Sequence, residues 1–473
     1  MLFLYLGSYP PYRNIESRIF LNLMNAERFL EPFGTETLDN FKNRKAYDFF
    51  VSQSFVSLST QYNLFRCNFN AQSWFSEYVL RVHTCWQHFC KKEATRIKFL
   101  HVLQSYDDDV KDQRRLCAHC ITLFSFKEVY DAIKNDCAST VRSLLCLGPV
   151  YHYALPLHAM DFKLLKVLDA RHVRFYLIPL EIFKLICLKY LSLTCNQELP
   201  DSISNLFHLQ FLVICRYVYL KKRGALSFMP AEVWNMQELQ HIEVWGKDLP
   251  TPDDSAVALD RLSSLIGVTE KSCTREILKR IPNLNALRIE VELQPYDDRN
   301  SLSNLGYISE ELQKLGTLKY AVMNPDMKRE RMVPLSMFPS SLRSLHLNGL
   351  GCPWEHLNDI GSMLPNLVDL TLHDYAFRSP KWNIESGSFL KLEKVVIEDT
   401  DLVQLIAQHG SLPMLELLSI RHCYKLQQLE WTCDPSKVKA TTIELVDCNP
   451  LAVASAKKLR PESVFKVLCH SSF

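Results

Sequence analysis

A short phrase of the form apolar-x-x-apolar-x-apolar recurs from Val141 onward, and it constrains the fold more than any other feature of the sequence. Clear copies begin at Leu165, Leu188, Leu209, Leu239, Leu284, Leu342, Leu367, Leu392, Leu415 and Ala440. Weaker copies begin at Val141, Leu262 and Leu318. Most starts are about 21 to 25 residues apart, so each copy has room for one strand and one return segment.

A second pattern runs in phase with the first. Pro179, Pro200 and Pro230 each stand at the same distance before the leucine that opens the next phrase. Two patterns with one period indicate leucine-rich repeats, in which stacked units share a single core. We therefore predict an α+β protein whose larger part is an irregular solenoid, a horseshoe with a parallel sheet on its concave side.

Side chains between the apolar positions of a strand point to its other face. We expect them to face solvent on the concave side and to contact protein partners. They include Tyr190, Glu243, Trp245, Arg288, Glu290, His346, Asp369, His373, Glu398 and Arg421. Replacing Trp245 and Arg288 should then weaken binding and change stability by only about 1 kcal/mol. Asn196, Cys423 and Cys448 fall where such a repeat needs a small polar side chain to satisfy its loop backbone.

Charge and cysteine usage narrow the class of partner and the compartment. The 54 basic and 52 acidic residues give a net charge of +2, which offers no basic surface for nucleic acid. Sixteen cysteines in 473 residues are too dilute for a disulfide scaffold. The chain shows neither a secretory signal nor an apolar run long enough for a bilayer. We therefore expect a cytoplasmic protein without an integral membrane segment, for which peripheral membrane association stays open.

The first 135 residues lack the repeat. The spacing of Ile15, Ile19, Phe20, Leu23 and Met24 predicts an amphipathic helix. A second segment, "YVLRVHTCWQHFCKKEATRIKFL", predicts a strand followed by a helix.

Several phrases in this region resemble one family in the right order. "LFLYLGSYPP…RIFLNLMNAERFLEP" resembles the winged-helix segment of plant intracellular nucleotide-binding leucine-rich-repeat (NB-LRR) immune receptors. "RVHTCWQHFC" resembles their Arg-Val-His-Asp and Asp-Phe-Cys motifs, and "DQRRLCAHC" and "VRSLLCLGP" resemble the start of their repeats. The similarity is to the late-blight-resistance (R1) type of the nightshade family.

The resemblance implies a domain order. A partial winged-helix domain would occupy residues 1–110, a connector into the repeats 111–135, the repeats 136–460 and a C-terminal tail 461–473. It also implies a role in plant defence, where complete receptors trigger the hypersensitive response. The expected partners are pathogen effectors, guarded host proteins or other receptor domains.

The family motif assigns one residue to a nucleotide. His83 matches the histidine that approaches the phosphate of ADP in complete receptors, but Thr84 replaces the following aspartate. The phosphate loop G-x-x-x-x-G-K-[ST] does not occur in this sequence, and one histidine supplies too few donors to hold a nucleotide. We therefore expect an N-terminally truncated receptor with a vestigial switch, no cofactor and no enzyme activity.

Two alternatives stay open. Cys85, His88, Cys90, Cys117, His119 and Cys120 offer zinc-ligand chemistry, although only Cys117 and Cys120 have the spacing of a tight pair. The repeats would also suit a substrate adaptor of a ubiquitin ligase. Metal analysis and co-purification with ligase subunits would distinguish these two from a recognition module.

Overall fold

The structure is a computed structural model, and it divides into two compact units, Met1–Ser263 and Ser264–Phe473. The residues that it describes are 2–11, 13–29, 56–60, 78–103, 110–119, 131–148, 162–175, 177–216, 228–291, 303–323, 333–432, 439–459 and 464–471.

The first unit begins with a small mixed domain. Its elements are α1 (Leu2–Leu6), β1 (Asn14–Glu16), α2 (Ser17–Ala26), β2 (Val56–Thr60), β3 (Tyr78–Val82) and α3 (Thr84–Arg96). Strand β3 pairs antiparallel with both β1 and β2. Helix α2 buries Ile19, Phe20, Leu23 and Met24 on one face, as their spacing predicts, whereas Ile15 lies in β1 just before the helix.

A parallel sheet forms the rest of the first unit. Its strands are β4 (His101–Val102), β5 (Arg115–Ala118), β6 (Ser143–Cys146), β7 (Val167–Phe175), β8 (Tyr190–Cys195), β9 (Phe211–Cys215) and β10 (His241–Val244). Neighbouring strands pair in register, so Leu191 of β8 lies beside Leu212 of β9. Both leucines are fully buried in the shared core, which is the packing that the repeat predicts.

The return segments of this sheet are short helices. Pro179, Pro200 and Pro230 each precede a 3₁₀ turn. Those turns span Leu180–Lys184, Asp201–Asn205 and Ala231–Asn235, and a five-residue π-helical segment spans Ile133–Cys137. A proline suits this position because its fixed φ already matches the start of a helix and its missing N–H has no partner there.

Nine strands form the parallel sheet of the second unit in the described part of the chain. They are β11 (Ser264–Val268), β12 (Ala286–Val291), β13 (Thr317–Val322), β14 (Ser344–Asn348), β16 (Asp369–His373), β19 (Lys394–Glu398), β21 (Leu417–Arg421), β23 (Thr441–Val446) and β24 (Phe465–His470). We call the side of a sheet that carries the side chains between the leucine positions its outward face.

The other side of the second unit carries the return segments. Two small parallel sheets consist of β15 (Cys352–Pro353) with β17 (Phe377–Arg378), and of β18 (Lys381–Ile384), β20 (Gln404–Ala407) and β22 (Gln428–Trp431). The helices are α4 (Arg275–Leu278), α5 (Tyr307–Glu311), α6 (Trp354–Met363) and α7 (Pro450–Ala456), and 3₁₀ turns span Glu270–Cys273, Ser303–Gly306 and Leu335–Met337. The Trp354 ring stacks on Phe377 and Trp382, at centroid distances of 5.4 and 5.0 Å.

A left-handed residue ends four successive strands of the second unit. Asp374, Asp399, His422 and Asp447 have φ values of 47°, 51°, 51° and 48°. Their amides and those of their neighbours continue the ladder, for example from His422 to the Val446 carbonyl at 3.0 Å. The chain therefore leaves each of these strands through the same bend.

The parallel sheets extend beyond residues 136–460 on both sides. Strands β4 and β5 lie in residues expected to be winged helix and connector, and β24 lies in the expected tail. Their phrases, "HVLQ", "RRLCAHC" and "VFKVLCH", depart from the repeat in sequence but pair in the same register. The winged-helix assignment itself stays a prediction.

Candidate recognition surface

The N-terminal segment of the first unit lies against the outward face of that unit's parallel sheet. Arg18 of α2 reaches β10, where its Nη2 donates to Glu243 Oε1 at 3.3 Å and its Nη1 pairs with Oε2. Burial would raise the pKa of Glu243, but Arg18 and His241 together hold it well below the ordinary value. The carboxylate therefore stays charged inside this contact.

Three further contacts fix the same segment on the sheet. Arg115 of β5 donates to Glu27 at 2.9 and 3.1 Å. Its guanidinium lies 5.0 and 4.6 Å from the ring centroids of Phe29 and Phe99. Ser143 of β6 donates to the other Glu27 oxygen. The segment after α2 is thus held by charge, by hydrogen bonds and by stacking at one place.

Arg13 makes a further contact with the sheet. Its Nη1 donates to the Gly148 carbonyl at 3.1 Å, and its Nη2 contacts the His172 ring. Burial, with Arg13 and Arg171 nearby, lowers the pKa of His172 to about 3. The imidazole is therefore neutral at physiological pH and can accept a hydrogen bond from the guanidinium.

A second buried ion pair lies on β7. Arg171 donates to both Asp169 oxygens at 3.0 Å. Burial would raise the pKa of Asp169, but Arg171 lowers it below its ordinary value. Burial raises the pKa of the neighbouring Tyr190 phenol well above its ordinary value, so Tyr190 is a neutral hydroxyl.

Three of the residues expected on the concave side belong to this covered face. Tyr190, Glu243 and Trp245 are all buried, and Trp245 Nε1 donates to Glu243 Oε1 at 2.9 Å. The expectation that these three side chains face solvent is therefore wrong, and the Trp245 ring is only 1% exposed.

The outward face of the second unit carries three rows of mostly polar side chains that cross the strands in register. One row contains Arg288, Lys319, His346 and Thr371, which pair successively from β12 to β16. A flanking row contains Thr317, Ser344, Asp369 and Lys394, and the other contains Glu290, Ala321, Asn348 and His373. The rows place charged or hydroxyl groups on successive strands from β12 onward.

Arg288 and Glu290 form an ion pair within one strand. Arg288 donates to Glu290 Oε1 at 3.1 Å from Nε and at 2.7 Å from Nη2. Both side chains are buried, as are His373 and Arg421 on later strands, so the expectation that these four residues face solvent is wrong. Residues two apart lie on the same face of a strand, and this spacing lets the pair close locally.

Two histidines lie in different rows of the adjacent strands β14 and β16. His346 Nε2 is 3.1 Å from the Ser344 hydroxyl, and His373 Nδ1 is 3.2 Å from Glu398 Oε2. Burial first, then Lys319, His373 and Lys394, holds the pKa of His346 well below its ordinary value. His346 is thus a neutral, polar group in a basic part of the face.

Arg421 and Glu444 close the polar rows near the last strands. Arg421 Nη2 donates to Glu444 Oε2 at 2.7 Å, and Ser419 donates to the same oxygen at 2.6 Å. Burial lowers the pKa of Arg421 and would raise that of Glu444, but Ser419 and Arg421 bring the carboxyl pKa below its ordinary value. Asp369 and Glu398 are half-buried on the same face.

Two of the three predicted loop residues satisfy backbone groups. Cys423 Sγ donates to the Arg421 carbonyl at 3.2 Å, and Cys448 Sγ donates to the Ile420 carbonyl at 3.3 Å. Both have the expected role of a small polar side chain after the strand. Asn196 is exposed just after β8.

The Cys/His cluster is mostly used in packing. Cys117 Sγ and His119 Nε2 both contact the Ser8 carbonyl, at 3.0 and 2.6 Å. Cys90 is buried, which raises its pKa, while Cys85 and His88 are exposed. Cys120 lies outside the described residues, and among those described no group of three or more His, Cys, Asp or Glu could hold a metal ion. His83 is exposed at the N-cap of α3, and its role toward a nucleotide stays a prediction.

Sequence reasoning missed the partners that complete these contacts. Arg18, Asp169, His241, Ser419 and Glu444 carry as much of the site's electrostatics as the expected residues. The repeat register could have found those on the strands, because each lies in the same cross-strand row as an expected residue. Asp169 shares a row with Glu243, and His241 shares one with Tyr190. Ser419 and Glu444 share the row of His346. Arg18 belongs to no repeat, so no comparable signal marks it.

Comparison with known proteins identifies a repeat region and a set of relatives. Residues 140–357 match a family model described as a leucine-rich repeat region. A putative late blight resistance protein homolog of Solanum demissum is 25% identical over 98% of this chain and 35% of its own length. Late blight resistance protein R1-A of the same species is 24% identical over 98% and 35%. A solved leucine-rich-repeat protein of Leptospira interrogans aligns with 68% of this chain and 79% of its own, at 17% identity and a TM-score of 0.38.

The parallel ladder and the family match define the class of fold: this chain contains a leucine-rich repeat region within a solenoid-like parallel sheet. Its resemblance to the late-blight-resistance proteins of the R1 type, seen first in the N-terminal phrases, is confirmed across 98% of the sequence. The chain spans about a third of the length of these curated relatives, 35% in both cases. No helix in the described ranges is long and apolar enough to cross a membrane.

Proposed function

We propose that this chain is a recognition module of the plant disease-resistance type, which binds a protein through the outward face of its second unit. The partner would be a pathogen effector, a host protein that effectors target, or another domain of an immune receptor. The three rows on strands β12–β19 carry the proposal, because rigid strands hold half-buried side chains such as Lys319, His346 and Asp369 in fixed positions on this face.

The electrostatics of the face favour a protein partner. Arg288 is paired with Glu290, Arg421 with Glu444, and His373 with Glu398. Charges that are paired in this way are less available to a phosphate backbone. Its charges are already oriented, so a partner with complementary groups would lose little side-chain entropy on docking.

The first unit's outward face is already occupied, which favours partner binding at the second unit. Its outward face already holds the N-terminal segment through Arg18, Arg115 and Glu27. A partner would have to displace that segment to reach Tyr190 or Glu243, which are buried beneath it. We therefore assign partner binding to the second unit and a structural role to Tyr190, Glu243 and Trp245.

The finer expectations from the R1 resemblance belong to the same proposal. The module would act in the cytoplasm, bind rather than transform its partner, and carry no nucleotide. His83 is exposed and adjoins Thr84, so the chain offers no carboxylate beside it at the start of α3. A role as ubiquitin-ligase adaptor would be distinguished by stoichiometric ligase subunits in the purified material.

The test is a direct binding assay against effectors and host proteins that R1-type receptors recognise. Thr317 and Thr442 are half-buried on the outward face, so Thr317→Arg with Thr442→Arg would place two bulky cations in a partner's path. The matched control is Thr432→Arg, at an exposed position after β22 on the opposite side. We expect at least about tenfold weaker binding for the double variant and parent-like binding for the control. Equal losses in both, or in neither, would contradict the assignment.

A further inference from the structure

We infer that strand β24 is a dimerisation edge, at which the strand pairs antiparallel with β24 of a second copy of this chain across a two-fold axis. In the described part of the chain, β24 is the last strand of its sheet, and its only pairing is with β23. The inference is independent of the proposed recognition function.

The hydrogen-bond pattern shows which groups reach the open edge. The Thr441 amide donates to the Val464 carbonyl at 2.8 Å, and the Asp447 amide donates to the His470 carbonyl at 3.0 Å. Backbone groups alternate sides along a strand, so the even-numbered residues of β24 face β23. The N–H and C=O groups of Phe465, Val467 and Cys469 therefore point toward the open edge.

The side chains at this edge are unusually apolar for a free strand. Val467 and Cys469 stand beside Ile443 and Leu445, whose side chains are buried in the core. In β24 the equivalent Val467 is half-buried and Cys469 is exposed, and Leu468 is 36% exposed. An edge that shows both backbone groups and apolar side chains is a template for another strand.

In one register of the two β24 strands, every backbone N–H and C=O group at the open edge has a hydrogen-bond partner. If the two-fold axis passes through Val467, then Phe465 lies opposite the partner's Cys469 and Val467 lies opposite the partner's Val467. All three outward-facing residues then exchange hydrogen bonds, about six in total. Lys466 is the only permanently charged side chain in β24, and this register places it beside the partner's Leu468 rather than beside another lysine.

Pairing of β24 with β24 would give a closed dimer. Like edges that meet across a two-fold axis form a closed pair, whereas an edge that meets a different edge of the next copy continues into a fibre. In the two-fold register no two lysines lie opposite each other, so charge repulsion does not oppose the closed dimer.

The first test is the mass of the full chain in solution as a function of concentration. We expect the parent to reach twice its chain mass of 54.9 kDa by sedimentation equilibrium at micromolar to tens-of-micromolar concentrations. Val467→Pro removes one amide that faces the open edge and none that bonds β23, so it should weaken the dimer at least about tenfold. Val467→Thr keeps the amide and the branched shape and should dimerise like the parent.

A cross-link provides a second readout if the proline variant folds poorly. Residues in a hydrogen-bonded antiparallel pair have Cα atoms about 5.5 Å apart, which a disulfide can span. With Cys469→Ser in the background, Val467→Cys should give a disulfide-linked dimer on mild oxidation, and Lys458→Cys, at an exposed position after α7, should not. A parent that stays monomeric at about 100 µM, a proline variant that still dimerises, or a Val467→Cys chain that does not cross-link would each overturn the inference.

Discussion

Arg18 and Glu243 form a buried ion pair although 225 positions separate them in the sequence. Glu243 is 3% exposed, so its charge is compensated inside the protein by Arg18 and His241. The pair ties helix α2 to strand β10 and makes the N-terminal segment part of the first unit's fold.

Removing one member of this pair should be costly. Arg18→Met leaves a buried carboxylate without its main counter-charge, and we expect about 3–5 kcal/mol less stability for the first unit. Urea unfolding followed by tryptophan fluorescence would measure it. The double variant Arg18→Met with Glu243→Gln should recover part of the loss, because the uncompensated charge is then absent. Strict additivity of the two single losses would show that the residues are not coupled.

The same pair predicts a pH dependence. The pKa of Glu243 is lower in the folded chain than its ordinary value, so the unfolded chain takes up the proton first as the pH falls. The stabilisation is therefore present above the ordinary carboxyl range and is lost as the pH falls through the lower folded value. Compared with Glu243→Gln, the parent should lose more stability between neutral and acidic pH. Parallel stability curves for the two proteins would refute this.

The burial of Trp245 reverses the effect expected from sequence. Trp245→Ala should destabilise the first unit by about 3–5 kcal/mol, because the ring is 1% exposed and its Nε1 donates to Glu243. Trp86→Ala is the matched control, since that ring is 39% exposed on α3 and should cost below about 1 kcal/mol. Thermal unfolding of both variants makes the comparison. A loss for Trp245→Ala as small as that for Trp86→Ala would contradict the burial of Trp245.

The turn after α3 predicts a stabilising substitution. Lys98 has φ 53° and is exposed, and the next amide, of Phe99, donates to the Ala94 carbonyl at 2.8 Å. Lys98→Gly should raise stability by about 0.5–1 kcal/mol, because glycine adopts this left-handed conformation without strain. Lys98→Ala removes the same side chain and keeps the strain, so it should bring no gain. A gain for alanine equal to that for glycine would assign the effect to the side chain.

Thiol reactivity gives a further prediction. Cys85 is exposed, so it should be alkylated rapidly in the native protein at neutral pH. Burial raises the pKa of Cys137 to about 12 and that of Cys352 to about 11, so these thiols should react only after unfolding. Peptide mapping by mass spectrometry would follow each site. Rapid native labelling of Cys352 would show that the return segments of the second unit open readily.

The repeat period predicted the strands and the core. The leucines on the inner face of each strand are buried by neighbouring repeats, whatever contacts the outward face. Leu191 and Leu345 are examples, and both are fully buried. Their phrases repeat nearest-neighbour contacts only, so local sequence carries the information. The prolines predicted the return segments for the same reason.

The state of the outward face could not be predicted in this way. Glu243 is paired with Arg18, which lies on a helix that no local pattern links to β10. Strand β24 was also missed, because its phrase "VFKVLCH" lacks the leading leucine. Only its pairing with β23 identifies it as a strand of the sheet. Long-range contacts that occur once leave no period to detect.

The shared bend at Asp374, Asp399, His422 and Asp447 has an evolutionary consequence. The chain leaves each of these strands with the same backbone geometry. A whole repeat between two such bends could therefore be duplicated or lost while the remaining strands keep their pairing. Recombination within the gene could thus change the length and the chemistry of the second unit's face by one whole repeat at a time.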